Sequence, residues 1–217
     1  MDTPNNLPIL DAAQIRVLGA LMEKSKTTPD YYPMTLNGLM AACNQKTSRK
    51  PVVIYDEATI TTSLNSLKIT GLISTATGGS IRNTKYKHNF AIVFPVLPSE
   101  IAVMCLLFLR GPQTPGEINT NSGRLYEFET LEEVQQVLEK LASDEPAYIK
   151  QIPRKPGQKE VRFMHLFGGD VESLEEENIA DEYPKFNNEI AERLTKVEEE
   201  LTELKSSFDK LMKELMG

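Results

Sequence analysis

The sequence predicts a mainly helical α+β fold in which one arrangement of helices and a hairpin occurs twice. In the first copy, a helix at residues 56–70 precedes strands at residues 72–76 and 85–90, which are joined by a polar turn. Residues 162–167 repeat the pattern of residues 85–90: basic, aromatic, any residue, His, any residue, Phe. A helix followed by a two-stranded hairpin ends a winged helix-turn-helix unit. We therefore predict two tandem winged helix-turn-helix domains and, after them, a C-terminal coiled-coil helix.

The predicted organisation has four parts, and a length of 217 residues accommodates two small domains with hydrophobic cores. Residues 10–92 are the first winged-helix domain, and residues 97–168 are the second. An acidic linker follows at residues 169–185. Residues 186–217 are the predicted coiled-coil helix.

Helix-start patterns support the first domain. Asp11 precedes an apolar stripe, and Gln14 lies three residues later, which is the spacing of a capping box. Thr35 is the predicted cap of the second helix, after a loop with two prolines. The predicted core residues of the first and third helices recur at helical spacing: Ile15, Leu18, Leu21, Met22, Ile60, Leu64 and Leu67.

The second domain repeats this order. Ser99 is the predicted cap of its first helix. Thr114 and Glu117 have the spacing of a capping box, with Pro115 at the favourable first helical position. Thr130 begins the third helix, whose predicted core residues are Val134, Val137, Leu138 and Leu141. The hairpin after it is predicted at residues 147–152 and 160–167.

Hydropathy and cysteine usage favour a cytoplasmic protein. The longest uninterrupted apolar run, residues 101–109, is far shorter than the roughly 20 residues that cross a membrane. The N-terminus has no basic segment followed by an apolar one, so no secretory signal is predicted. Cys43 and Cys105 both lie in apolar helical patterns, which favours buried free thiols over a disulfide.

The charge of the chain is distributed unevenly. The net charge is −7, which by itself argues against nucleic-acid binding. Residues 1–98 nevertheless carry +4, residues 99–168 carry −2 and residues 169–217 carry −9. The acidity therefore belongs to the C-terminal part, and the mildly basic first domain permits contacts with phosphates.

The third helix of the first domain is the predicted DNA-reading helix. Its face opposite the core holds small neutral side chains, so base reading would rest on an amide and hydroxyls. Basic residues lie in the loop before this helix and in the wing hairpin after it, where they can contact phosphates. The predicted DNA-binding residues are Lys46, Arg49 and Lys50 in the loop, Thr62, Asn65 and Ser66 on the helix, and Arg82, Lys85 and Lys87 in the wing.

The third helix of the second domain differs in charge. Its predicted exposed side carries Glu132, Gln136 and Glu139. Because anionic side chains repel phosphates, we do not expect this helix to enter a DNA groove. The second wing could still contact a DNA backbone through its basic residues: Lys150, Arg154, Lys155, Lys159 and Arg162.

Residues 186–217 contain a regular heptad pattern. Apolar residues alternate at spacings of four and three, as in a coiled coil: Ile190, Leu194, Val197, Leu201, Leu204, Phe208, Leu211 and Leu215. We predict that these residues pair two chains into a homodimer, because so regular an apolar seam needs an equally regular partner. The alternative is an amphipathic helix that packs back on its own domains.

The residue types that usually carry chemistry are sparse. His88 and His165 are the two histidines of the chain, and they occupy equivalent positions of the repeat. A repeated position favours a repeated structural role, such as hydrogen bonding at a strand end. Neither metal-ligand spacing nor a glycine-rich loop before a helix is present. We therefore predict no catalytic residue, metal or cofactor, and expect a binding protein rather than an enzyme.

A set of short motifs covers nearly all of residues 10–168. They lie at residues 16–19, 23–24, 27–33, 42–47 and 85–86 of the first domain and at residues 109–117, 126–128 and 162–167 of the second. Together they resemble the motifs of the YceH-like (UPF0502) family, an uncharacterised group of bacterial proteins. The resemblance implies a tandem winged-helix fold and, by analogy of fold, DNA binding, with no established activity.

The leading hypothesis from the sequence is a dimeric DNA-binding protein, in particular a transcriptional regulator that binds double-stranded DNA through the first winged-helix domain. The alternative is a non-enzymatic protein-interaction scaffold whose winged helices never contact DNA. The acidic helix of the second domain and the acidic tail favour that alternative. Whether the basic residues of the first domain lie on one face distinguishes the two hypotheses.

Overall fold

The structure is a computed structural model, and it describes residues 7–76, 84–154 and 160–169. These residues all belong to one compact unit, Met1–Gly169. The predicted acidic linker, the heptad residues from Ile190 to Leu215, and the basic residues Arg82, Lys155 and Lys159 lie outside the described residues.

The order of helices and strands repeats along the described chain. The first repeat consists of α1 (Ala12–Thr27), β1 (Met34–Thr35), α2 (Leu36–Cys43), α3 (Glu57–Ile69), β2 (Ile73–Ala76) and β3 (Lys85–His88). A short helix, α4 (Phe90–Val93), follows it. The second repeat consists of α5 (Pro98–Arg110), α6 (Pro115–Ser122), α7 (Leu131–Ser143), β4 (Ile149–Ile152) and β5 (Arg162–His165). The predicted combination of helices with small antiparallel sheets is confirmed.

The predicted helix starts of the first repeat are confirmed. The Gln14 amide donates a hydrogen bond to the Asp11 carboxylate (2.8 Å), and the Asp11 amide donates one to the Gln14 side chain (3.2 Å). This is the predicted capping box. The Thr35 hydroxyl likewise accepts from the Gly38 amide at the start of α2. All seven predicted core residues of α1 and α3 are buried.

The strands of the first repeat form a three-stranded antiparallel sheet in the order β1-β3-β2. Strand β1 was not predicted, because two residues are too few to show an alternating pattern. The second predicted strand ends earlier than expected, at His88, because the backbone turns into α4 at Phe90. Helix α4 was not predicted from the sequence.

One helix start of the second repeat was predicted wrongly. Helix α5 begins at Pro98 with Leu97 as its N-cap, so Ser99 lies inside the first turn and is buried. Proline favours the first helical position because its missing N–H would be unsatisfied there anyway. The Glu100 carboxylate accepts from the Leu97 amide (2.7 Å) in place of the expected serine cap. The predicted caps at Thr114 and Thr130 are confirmed.

The two repeats share one hydrophobic core. Helices α1 and α5 pack so closely that a Cβ added at Gly19 would lie 3.0 Å from the Phe108 Cβ and the Leu109 Cδ2. The Cys105 thiol donates to the Gly19 carbonyl oxygen across this contact (3.5 Å). An aromatic cluster continues the core between the repeats, with rings of Phe90, Phe94, Phe108, Tyr148 and Phe167 at centroid distances of 5.0 to 6.3 Å.

Candidate nucleic-acid interface

The outward face of α3 is built as the sequence predicts. Ile60, Leu64 and Leu67 hold the opposite face in the core, with exposed fractions of 0 to 2%. Because α-helical positions advance by 100° per residue, this burial turns Thr62 and Asn65 outward, and both are exposed. Ser66, at the edge of the buried face, is half-buried. The result is an accessible helix surface with an amide and hydroxyl groups.

Lys68 also belongs to the exposed surface of α3. It was missed in the sequence prediction, which searched only the face directly opposite the core. Lys68 lies three residues after Asn65, a separation that places two helical residues on neighbouring positions of one face. That spacing was available in the sequence and identifies a cation beside the predicted reading residues.

Strand β3 presents two lysines on one face of the first sheet. Lys85 and Lys87 are two residues apart and therefore point to the same side, away from the side of Tyr86 and His88. Lys87 is exposed and pairs with Ser74 of β2, whereas Lys85 is half-buried between Thr35 and Ala76. The hairpin thus offers one fully accessible cation and one partly accessible cation among its described residues.

Arg49 is not available to DNA, which corrects the sequence prediction. Its side chain is fully buried, and its guanidinium donates to the Glu23 carboxylate at 2.7 and 3.1 Å. It also donates to the backbone carbonyl oxygens of Ala42 and Ser48 and to the side chain of Gln45. A guanidinium with this set of acceptors joins α1, α2 and the following loop. The sequence pattern of three nearby cations contains no information about this pairing.

Lys46 and Lys50 are exposed, as predicted, but their loop also contacts the second repeat. The Lys50 amide donates to the Leu109 carbonyl oxygen (2.9 Å), and Arg110 donates to the Ser48 hydroxyl (3.0 Å). The loop between α2 and α3 therefore connects the predicted DNA-reading helix to α5.

The carboxylate of Glu23 remains charged despite its burial. Burial raises the pKa of this carboxyl, but hydrogen bonds and positive charge from Arg49, together with Lys24, outweigh that effect. The net pKa is below the ordinary glutamate value. Glu23 and Arg49 thus form a charged pair inside the protein rather than two neutral groups.

The corresponding surface of the second repeat is less suited to phosphates. Glu132, Gln136 and Glu139 are exposed on α7, as predicted. Arg162 of the second hairpin donates to both carboxylate oxygens of Glu117 at 2.8 Å, so its charge is already neutralised. Arg154 is exposed. The two repeats therefore share an arrangement of elements but not a surface charge.

The two histidines occupy equivalent positions in the two sheets. His88 lies opposite Ile73 in the first hairpin, and His165 lies opposite Ile149 in the second. The His88 amide donates to the Tyr32 hydroxyl oxygen (2.7 Å), and its Nε2 lies 3.2 Å from the Ser25 hydroxyl. His165 is buried with its ring edge against Phe108. These contacts agree with the predicted structural role at the strand ends.

Burial also keeps both histidines neutral. Burial lowers the pKa of His165 to about 4. It also lowers the pKa of His88 to about 4, and the positive charge of Lys26 adds to this effect. An unfolded histidine, with a pKa near 6.5, binds its proton at higher pH than the folded one. The free energy of unfolding is therefore expected to fall as the pH decreases from about 6.5 to about 4, by up to ~1.4 kcal/mol per pH unit for each histidine.

Urea unfolding between pH 7 and pH 4.5 measures this dependence. The doubly substituted chain with His88→Gln and His165→Phe should show a flatter profile over this range. Glu23 and Glu117, whose pKa values are lowered, lose stabilising charge only at more acidic pH. An unchanged slope in the double variant would assign the pH dependence to other groups.

The predicted buried free thiols are confirmed at Cys43 and Cys105. Burial raises the pKa of Cys43 to about 12 and also raises the pKa of Cys105. Both thiols are therefore protonated at neutral pH and act as small apolar core groups. Within the described residues, no helix is long and apolar enough to cross a membrane.

Comparison with known proteins gives one consistent result. Residues 10–158 match the family model described as "Protein of unknown function, DUF480". A UPF0502 protein of Solibacter usitatus is 46% identical over 200 residues, which covers 92% of this chain and 95% of the relative. A UPF0502 protein of Opitutus terrae is 48% identical over 166 residues, 76% of this chain and 72% of the relative. The UPF0502 protein YceH of Escherichia fergusonii is 40% identical over 211 residues, 95% and 97% of the two chains.

These matches extend over most of this chain and over most of each relative. The resemblance inferred from the short motifs is therefore confirmed: the chain belongs to the UPF0502 (DUF480) family.

Proposed function

We propose that the protein is a dimeric DNA-binding protein and acts as a transcriptional regulator. Its two repeats would be winged helix-turn-helix domains, of which the first binds double-stranded DNA. Helix α3 would enter the major groove with Thr62 and Asn65 near base edges, while lysines contact the phosphates. Residues 190–215 would pair two chains through their heptads, which places two copies of α3 on one operator.

The observation that carries this proposal is the charge and shape of the α3 surface. From Ala58 to Ile69 the helix has no acidic residue, and its exposed side chains include Thr62, Asn65 and Lys68. Lys87 is exposed on the hairpin that follows, and Lys46 and Lys50 are exposed on the loop before it. Small neutral side chains let the helix approach DNA closely, and the surrounding lysines can contact its phosphates.

The second repeat provides an internal contrast that supports this choice. At the corresponding place, α7 exposes Glu132 and Glu139. Two carboxylates at a groove would repel phosphates, and Arg162 of the second hairpin is already paired with Glu117. The proposed role of the second repeat is therefore to support the first through the shared core.

Binding to duplex DNA over a series of salt concentrations tests the proposal. Lys87→Gln is expected to reduce the slope of log affinity against log salt by about 1, because one phosphate contact and its released counterion are lost. Affinity should fall for all sequences alike, since a phosphate contact carries no sequence information. Fluorescence anisotropy with a random-sequence duplex provides the measurement.

Arg154→Gln is the matched control. Arg154 is an exposed cation of the second hairpin, and although the sequence permits it a contact with the DNA backbone, the proposed DNA surface belongs to the first repeat alone. This substitution removes the same charge, and we expect the wild-type slope to be retained. Equal losses in both variants would show a general charge effect rather than a defined surface. A wild-type protein that does not bind DNA even at low salt would refute the proposed function.

The acidic exposed face of α7 favours a second candidate function. In that alternative the protein is a non-enzymatic scaffold that binds other proteins through its winged helices and does not contact DNA. Charge reversal of Glu132 and Glu139 to lysine separates the candidates. It would weaken capture of a protein partner under the scaffold hypothesis and would leave intact, or strengthen, the binding of DNA under the leading one.

A further inference from the structure

A cleft of about 280 Å³ lies between the two repeats, and none of the residues proposed to contact DNA lines it. Its walls come from α1, from the loop between α2 and α3, from α5, and from α6 with the residues that follow it. Leu106, Leu109 and Leu125 supply apolar surface, and Arg110 and Arg124 supply positive charge. Polar side chains make up most of the rest of the wall, among them Thr27, Thr120 and Asn121. Polar and charged groups that converge in a concave site can fix the orientation of a small molecule.

The charges in the cleft favour an anion. Glu23 is the acidic residue in the wall, and its carboxylate is bound at both oxygens by Arg49 from behind. Among the described residues of the wall, that pairing leaves Arg110 and Arg124 as the charges without a neutralising partner. Two guanidinium groups in one cleft attract a carboxylate or phosphate, which arginine binds with paired donors.

Both arginines have donors available for such a ligand. Arg110 uses one of its N–H groups on the Ser48 hydroxyl (3.0 Å), and a guanidinium has five. Arg124 is exposed and makes no hydrogen bond or ion pair within the described part of the chain. Ser48 itself has a φ of 59°, a left-handed conformation that is uncommon for serine and holds its hydroxyl at the cleft.

We propose that this cleft binds a small organic anion. Its carboxylate or phosphate would lie between Arg110 and Arg124, and its apolar part would cover Leu106, Leu109 and Leu125. The volume admits a single ring with a charged group, which is far smaller than a nucleic-acid duplex. Such a ligand would contact both repeats at once and so stabilise their packing in proportion to its occupancy.

Titration of the full-length ¹⁵N-labelled protein by NMR tests this site. The probes are phenyl phosphate and benzoate, which combine a ring with the two candidate anionic groups, and benzyl alcohol as the neutral equivalent. We expect saturable shifts of the amide signals of Ser48, Asn121 and Gly123 with at least one anion, and weaker binding of the alcohol. The tighter of the two anions identifies the preferred charged group.

Substitutions then connect binding to the arginines. Arg124→Gln is expected to raise the dissociation constant of the anion about tenfold, because the ligand would lose a charge-assisted hydrogen bond. Arg154→Gln makes the same change at an exposed residue that does not line the cleft, and it should leave the dissociation constant unchanged. Because Arg124 is exposed and unpaired within the described residues, its substitution should leave the fold intact, and thermal unfolding of the free variant checks this.

Three results would overturn the proposal: no saturable shifts with either anion, equal affinity for benzyl alcohol, or an unchanged dissociation constant in Arg124→Gln. A lower salt slope of DNA binding in Arg124→Gln would also overturn it, by assigning this arginine to the DNA surface. The titration itself contains no DNA. The cleft and the proposed DNA-binding function can therefore fail independently.

Discussion

Replacement of Arg49 with alanine is expected to reduce the free energy of unfolding by about 3 to 5 kcal/mol, the usual effect of removing one partner from a buried ion pair. The Arg49 side chain is fully buried, and that of Glu23 is only 13% exposed. Without the guanidinium, the charged partner that Glu23 keeps among the described residues is Lys24, at 3.1 Å. The carbonyl oxygens of Ala42 and Ser48 also lose a donor. Urea unfolding measures the difference.

A double variant tests the origin of this loss. If unpaired buried charge causes it, Glu23→Leu combined with Arg49→Met should be clearly more stable than the sum of the two single substitutions predicts. The carbonyl groups remain without their donor in this variant, so recovery should be incomplete. Strictly additive effects would show that the two side chains are not coupled.

The same residue distinguishes a structural role from a role in DNA binding. Under conditions in which Arg49→Ala is still folded, its DNA affinity should show the wild-type dependence on salt. A slope reduced by about 1 would mean that Arg49 contacts a phosphate, as the sequence suggested, and would contradict the interpretation of its burial.

Substitution of Gly19 with leucine is the second change with a large expected effect. The Cβ alone would lie 3.0 Å from the Cβ of Phe108, an atom fixed to the α5 backbone. A leucine must therefore push α1 and α5 apart, and overpacking of this kind costs about 1 to 3 kcal/mol or more. The shared core would also open around the Cys105 contact, so the thiol should become reactive toward a thiol reagent in the native state.

Gly123→Leu is the matched control for this substitution. Gly123 has helical backbone angles, and a Cβ added there would meet no atom within 4 Å. We expect its free energy of unfolding to stay close to the wild-type value. If Gly19→Leu were equally well tolerated, α1 and α5 would not be packed as closely as the structure indicates.

Local patterns were sufficient to predict most of the described elements. The capping residues Asp11, Thr35, Thr114 and Thr130 were identified correctly because a cap satisfies backbone groups within three residues of itself. The outward positions of Thr62 and Asn65 on α3 were also predicted, since burial of every third or fourth residue fixes the opposite side, although Lys68 at the edge of that side was missed. The error at Ser99 arose because the helix could begin after Leu97 or after Ser99. Pro98 favours the earlier start, since proline suits the first helical position.

The candidate site could be predicted only in part. Thr62, Asn65 and Lys87 are exposed, as expected. Arg49 is buried, although Lys46 and Lys50 in the same loop are exposed. The difference comes from Glu23, which lies 26 residues earlier in the chain and meets Arg49 only after α1 and α2 have packed. Charge counted along a loop does not report which cations are already paired.

The sequence by itself thus determined the repeated order of helices and hairpins, their caps, the buried state of both cysteines and the family of the protein, because each depends on local spacing or on motifs. Tertiary structure alone decided that the two repeats share one core through Gly19 and α5. It also decided that Arg49 is structural and that Arg110 and Arg124 face a common cleft. Those features depend on contacts between residues distant in sequence, whose partners are chosen by packing and charge neutralisation in the folded chain.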